Sequence, residues 1–195
     1  MRLVVLQILI LHMLHLFLPV LFVLTSTVLS FGQQEIPSTT NNDIVAVVIF
    51  LGVDCPISQK YIACLNSIYL TYKDNPRIQW SFIVPGKEKK NKIKAFEQEY
   101  RLQFPLQSDR DSQVTKYGAS VTPEAFIVSH EQTVYKGAID NWFYELGKYR
   151  SQVSENYLRD ALEAILKNQE PFFKETTPVG CFIQTSLANT HQHDH

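Results

Sequence analysis

The chain has 195 residues, with 18 Lys and Arg set against 19 Asp and Glu for a formal net charge of −1. That balance removes the electrostatic basis for nucleic-acid binding. A composition that is 45% hydrophobic and 19% charged is that of an ordinary globular protein.

In chain order, Met1-Arg2 precede an uncharged run rich in Leu and Val, from Leu3 to Ser30. A short positive start, an apolar stretch and then small or polar residues predict an export signal. The run also exceeds the roughly 20 residues needed to cross a bilayer. Residues 1–32 are therefore read as a signal peptide, cleaved near Gly32-Gln33, or as a retained membrane anchor carried by residues 3–30. The chain is expected to be exported to the periplasm or cell envelope, where disulfides persist. With no cysteine near the run, a lipid-modified cysteine anchor is excluded. Residues 33–43 are polar and aperiodic, a linker. The domain is assigned to residues 44–170, and residues 171–195 form a C-terminal extension.

Ile44 to Leu51 (IVAVVIFL) is a continuous, mostly β-branched run, which predicts a central strand buried on both faces. Gly52-Val53-Asp54 break it. Ile57, Tyr61, Leu65, Ile68 and Tyr72 then share one helical face, and Pro56 suits a first helical position. Ile78 to Val84 predicts a second strand. Lys87 to Leu102 predicts a charged amphipathic helix, with Ile93, Phe96 and Tyr100 inward. Phe104 to Leu106 is a short extended piece, and Asp111 to Tyr117 a short helix ended by Gly118. Ala125–Val128 and Thr133–Tyr135 flank a turn and predict a hairpin. Ser154 is the expected cap of a last helix whose stripe includes Leu158, Leu162 and Ile165, with Pro171 ending it. Strands joined through helices imply parallel neighbours, and the hairpin adds antiparallel ones. The predicted class is α/β: a mixed central sheet with helices on both faces, a three-layer sandwich.

Four motifs in this order resemble the thioredoxin-like superfamily, and more closely its exported redoxin branch, related to the alkyl hydroperoxide reductase and thiol-specific antioxidant family. They are DCPI at 54–57, TPE at 122–124, GAID at 137–140 and GCFI at 180–183. The resemblance spans roughly Asp43 to Ile183. It implies a reactive thiol at Cys55, on a strand-to-helix junction. It also implies a cis-proline loop at Thr122-Pro123 that faces that thiol and offers backbone hydrogen bonds to an extended substrate or bound thiol. Two departures stand out. Ser58 replaces the second cysteine of a Cys-x-x-Cys pair, and Gly52 stands where a peroxiredoxin carries Thr three residues before its cysteine.

A helix N-terminus favours a thiolate through its free N–H groups and dipole, whereas an ionised Asp54 nearby would oppose it. Three cysteines are an odd number, so one thiol is free, transiently paired or paired with another chain. Cys64 on the same helix as Cys55 would stand about 13 Å away along the axis, beyond the roughly 7 Å that a disulfide tolerates. Cys181 is the candidate partner, in a redox-active or structural disulfide or as a co-ligand; the motivation is the Gly-Cys motif together with the thiol missing at Ser58. Gly180 permits a close backbone approach.

The chain ends with His191, His193 and His195 around Asp194, a candidate metal set for copper or zinc in a polar tail. Lys87, Lys89, Lys90, Lys92 and Lys94 read as a solvated basic helix start, and Asp109, Arg110 and Asp111 as a solvated loop. The leading functional expectation is a thiol–disulfide redox protein of the cell envelope. It would act through Cys55, with Cys181 resolving, on protein thiols or disulfides or with a redox partner protein, and with no required cofactor. A copper-delivery protein using Cys55, Cys181 and histidines is the alternative, and a thiol peroxidase a second.

Overall fold

The computed structural model describes residues 44–109 and 112–184. The expectations for the leader, the linker, Arg110, Asp111 and the histidine tail lie outside them. Among the described residues no helix is long and apolar enough to cross a membrane.

The β-branched run forms β1 (Val45–Phe50), with Val47, Ile49 and Phe50 fully buried. It lies at the centre of a five-stranded sheet ordered β3-β2-β1-β5-β6. Here β2 is Ile78–Val84, β3 Leu106–Ser108, β5 Glu124–Ser129 and β6 Gln132–Gly137. The pairs β1–β2 and β2–β3 are parallel, joined through α1 (Pro56–Tyr72) and α2 (Lys90–Glu99). On its other side β1 pairs antiparallel with β5, and β5 with β6. This is the thioredoxin-like mixed sheet that was expected.

One face packs Val45, Val47, Ile49, Phe82 and Ile127 against α1, α2 and α4 (Tyr157–Leu166). The other packs Val48, Phe50, Ile83 and Phe126 against α3 (Gln113–Tyr117) and the half-buried Ile183. Rings bind the first core tightly: Phe82 and Phe104 stack with centroids 3.7 Å apart.

Several boundaries differ from expectation for local reasons. The charged helix begins at Lys90 rather than Lys87, without a side-chain cap, and stops before Arg101, whose φ is +52°. The Asp109 carboxylate accepts from Gln113 N at 2.7 Å and Val114 N at 3.1 Å, so it satisfies the first donors of α3 instead of lying in a solvated loop. His130 and Glu131 both have positive φ, as a two-residue hairpin turn matched to strand twist requires. Ser154 does not cap the last helix. Its N–H donates to Asn141 Oδ1 at 3.1 Å and its Oγ accepts from Asn141 Nδ2 at 2.7 Å, while Asn156 occupies the cap position. Two small pairs were not expected: β4 (Val121–Thr122) with β9 (Cys181–Phe182), and β7 (Phe143–Glu145) with β8 (Lys148–Tyr149).

After α4 the chain turns back along the sheet edge. Lys136 N donates to Lys174 O and Thr176 N to Lys136 O, both at 3.0 Å. Gly137 makes room for this path: its φ is +134°, and a Cβ there would overlap Thr176. The path then crosses to β4.

Asp140, the last residue of GAID, is 4% exposed. Its carboxylate accepts from Tyr61 Oη at 2.6 Å and from Trp142 N at 2.8 Å, which ties the segment after β6 to α1. Burial pushes this carboxyl above the usual carboxylate range despite those two donors. A carboxyl raised in the folded state contributes stability that is full below its unfolded pKa and is lost as pH rises through the folded one. Unfolding free energy measured at about pH 7 should therefore be lower than at about pH 4 through this group. Urea titrations at both pH values should show a smaller fall in Asp140→Asn.

Candidate active site

Cys55 is placed by the change from strand to helix. β1 ends at Phe50, a turn closes with Cys55 N donating to Gly52 O at 3.1 Å, and Pro56 opens α1. Cys55 is itself the N-cap, with its Sγ accepting from Ser58 N at 3.5 Å. Ser58, fully buried where a second cysteine would stand in a Cys-x-x-Cys pair, accepts from Gly52 N at 3.2 Å. Its hydroxyl proton is thereby left for the Cys55 sulfur.

The Thr122–Pro123 bond is cis, as the resemblance implied. Cys55 Sγ donates to Thr122 O at 3.0 Å. The buried Glu124 carboxylate holds this loop, accepting from Ser120 N at 2.8 Å and Val121 N at 3.3 Å. Glu124 belongs to the TPE motif, yet its bond to backbone earlier in the loop has no signature in the sequence.

β9 pairs antiparallel with β4, Thr122 opposite Cys181 and Val121 opposite Phe182. Ile183 N extends the pairing to Ser120 O at 2.9 Å. This brings Cys181 beside Cys55. Gly180 is the close approach that was expected, since a Cβ there would overlap the Thr122 carbonyl. Cys55, Cys64 and Cys181 are all reduced. Cys64 points elsewhere, with its sulfur 4.0 Å from Asp140 Oδ2.

The three thiols differ in acidity. Burial raises Cys55, but together the Cys181 thiol, the Ser58 N–H and hydroxyl and the Cys181 backbone outweigh it and leave Cys55 below the ordinary thiol value. Cys181 is pushed up to about 11 by burial, then by its hydrogen bond to Cys55 and the negative charge there. Burial and the Asp140 charge push Cys64 up to about 11. Asp54 does not oppose the Cys55 thiolate: its exposed carboxylate turns to Lys92, which also pairs with Glu88 at 3.3 Å. Lys92 thus leaves the role of a merely solvated lysine.

The sites meet in an open cleft of about 660 Å³ at the carboxyl ends of β1 and β2, lined by Cys55, Pro85, Lys87, Lys92, Thr122 and Cys181 among others. Gly52 carries no hydroxyl into it. A Cβ at that position would lie 2.7 Å from Thr122 Oγ1 and 2.9 Å from Cys55 Cβ. Among the described residues no group of three His, Cys, Asp or Glu side chains is placed to hold a metal ion.

The sequence pattern of the AhpC/TSA family matches residues 24–136, more than half of the chain. Among solved structures, the chain is similar to a hypothetical protein from Sinorhizobium meliloti 1021, at 25% identity and TM-score 0.63 over 74% of this chain and 82% of that one. It is similar also to an uncharacterized conserved protein from Geobacillus kaustophilus, at 22% identity and TM-score 0.57 over 73% and 78%. No curated protein matches the sequence.

Two expectations follow from the packing. Cys181→Ala removes the strongest donor to the Cys55 sulfur, so the pH midpoint of Cys55 alkylation by iodoacetamide should move up. Gly52→Thr must displace Thr122, and urea denaturation should show a loss of about 1–3 kcal/mol.

Proposed function

The chain belongs to the AhpC/TSA family, and on that premise we propose that it is a thiol–disulfide redox protein in which Cys55 is the nucleophile and Cys181 the resolving thiol. The observation that carries this reading is the β4–β9 pairing, which sets Cys181 against Thr122 while the Thr122 carbonyl holds the Cys55 thiol.

The division of acidity supports the two roles. The thiolate is the attacking species, and the more acidic Cys55 supplies it. It attacks one sulfur of a disulfide, whose S–S bond breaks; one thiolate leaves and a mixed disulfide remains on Cys55. Cys181 then attacks Cys55 Sγ and its proton passes to the second departing sulfur. The reacting disulfide is reduced to two thiols, and the cysteine pair is oxidised by two electrons. A dithiol partner reverses the exchange. The reactants are thiols and disulfides, and no cofactor enters the cycle. Export to the cell envelope, inferred from the Leu3–Ser30 run, suits a protein whose pair must be able to stay oxidised.

The other two expectations draw less support. For copper, Cys55 and Cys181 offer two adjacent soft donors, but the described residues supply no third. His191, His193 and His195 lie outside them. For a peroxidase, position 52 lacks the threonine and its volume is already taken by Thr122.

Oxidation of the full chain with a small disulfide, followed by peptide mapping without reduction, should give a Cys55–Cys181 peptide and leave Cys64 free. Cys181→Ser should stop at a mixed disulfide on Cys55, and Cys55→Ser should lose exchange by about a hundredfold or more. A Cys55–Cys64 peptide, or three free thiols after oxidation, would overturn the reading.

A further inference from the structure

Next to Cys55, the backbone that an extended segment would use for pairing already has a partner. β4 is the strand whose carbonyl at Thr122 touches the nucleophile, and among the described residues its pairing is with β9 alone. The chain's own residues 181–183 hold that edge through the Thr122–Cys181 register and the bond from Ile183 N to Ser120 O. Gly180 lies so close to Thr122 that no side chain fits between the two backbones. Ile183 anchors the segment by packing, half-buried, against the second core. Cys55 itself is 3% exposed and is reached from the floor of the cleft.

Strand addition needs a free row of N–H and C=O groups. A segment already seated there excludes a second one, and a nearly buried sulfur admits only a slim reactant. We infer that the disulfide attacked by Cys55 belongs to a small molecule and not to an extended protein segment, because the tail strand occupies the peptide-pairing edge of the site. The inference rests on the thiol–disulfide reading above. The chemistry is the same balanced exchange: one small disulfide becomes two small thiols, and the Cys55–Cys181 bond forms.

The test compares two oxidants on the full chain. One is hydroxyethyl disulfide. The other is a symmetric disulfide of an extended peptide, with about six residues on either side of its cysteine, enough to form a strand. Formation of the Cys55–Cys181 bond is followed by acid quench and mass analysis, and each rate is divided by that of the same oxidant with dithiothreitol. The peptide should be slower by about tenfold or more. Ile183→Ala and Gly180→Ala, which loosen the tail in independent ways, should each raise the peptide-to-small-molecule ratio by about fivefold. Equal normalised rates in the native chain would overturn the inference and leave the redox reading standing. So would a ratio unmoved in both variants. Failure of both oxidants to react would overturn the redox reading and this inference with it.

Discussion

The peptide unit at Thr122 is where the parts of this molecule meet. Its carbonyl accepts the Cys55 thiol at 3.0 Å, it is flanked by the cis bond to Pro123, and Cys181 lies opposite it in the β4–β9 pair. Three elements distant in sequence must all be seated for this to hold. β1 has to deliver Cys55 at its carboxyl end, Glu124 has to hold the loop through Ser120 and Val121, and the segment after α4 has to return across the sheet edge. A net hydrogen bond contributes about 0.5–1.5 kcal/mol. The short ladder that holds β9 is therefore worth only a few such contributions, and the packing of Ile183 against the second core adds to it.

Proximity alone would leave two equivalent thiols. What distinguishes them is the surroundings of each sulfur. Cys55 accepts from Ser58 N at a helix N-terminus and lies below the ordinary thiol value, whereas burial and then the neighbouring Cys55 push Cys181 above it. Ser58 is central to this asymmetry. It keeps the geometry of the helix start, and it contributes a donor to Cys55 where a second cysteine would compete as a partner. Lys92 completes the arrangement by taking Asp54 out of the balance.

Much of this was legible in the sequence because it depends on local pattern. The β-branched run at 44–51, the helical face from Ile57 to Ile68, the hairpin around His130-Glu131 and the strand-to-helix position of Cys55 all follow from periodicity and turn chemistry. Gly180 was legible because a glycine before a cysteine invites a close approach. The contacts that escaped are those joining residues far apart in the chain. Asp140 meets Tyr61 across 79 positions, Gly137 faces Thr176, and Gly52 is confined by Thr122. Each of these residues was visible inside or beside a motif, but nothing in its own neighbourhood names its partner. The misplaced cap at Ser154 has the same origin, since Asn141 competes for it through space.

The return path of the tail bears on how strong a reductant the proposed Cys55–Cys181 pair would be. The segment is fastened to β6 at Thr176 and to β4 at Cys181, with only residues 177–180 between the two fastenings. Cys181 is thus a tethered thiol whose local concentration at Cys55 is set by the length of that short span. Effective concentration for a flexible tether falls only slowly with its length, roughly as the −3/2 power, but a span pinned at both ends deviates from that law toward tighter confinement. On the proposed reading of the site, that confinement would favour ring closure between Cys55 and Cys181 over mixed disulfides with external thiols. The redox poise proposed for the site would then depend on the spacing between two backbone attachments as much as on the acidity of its sulfurs.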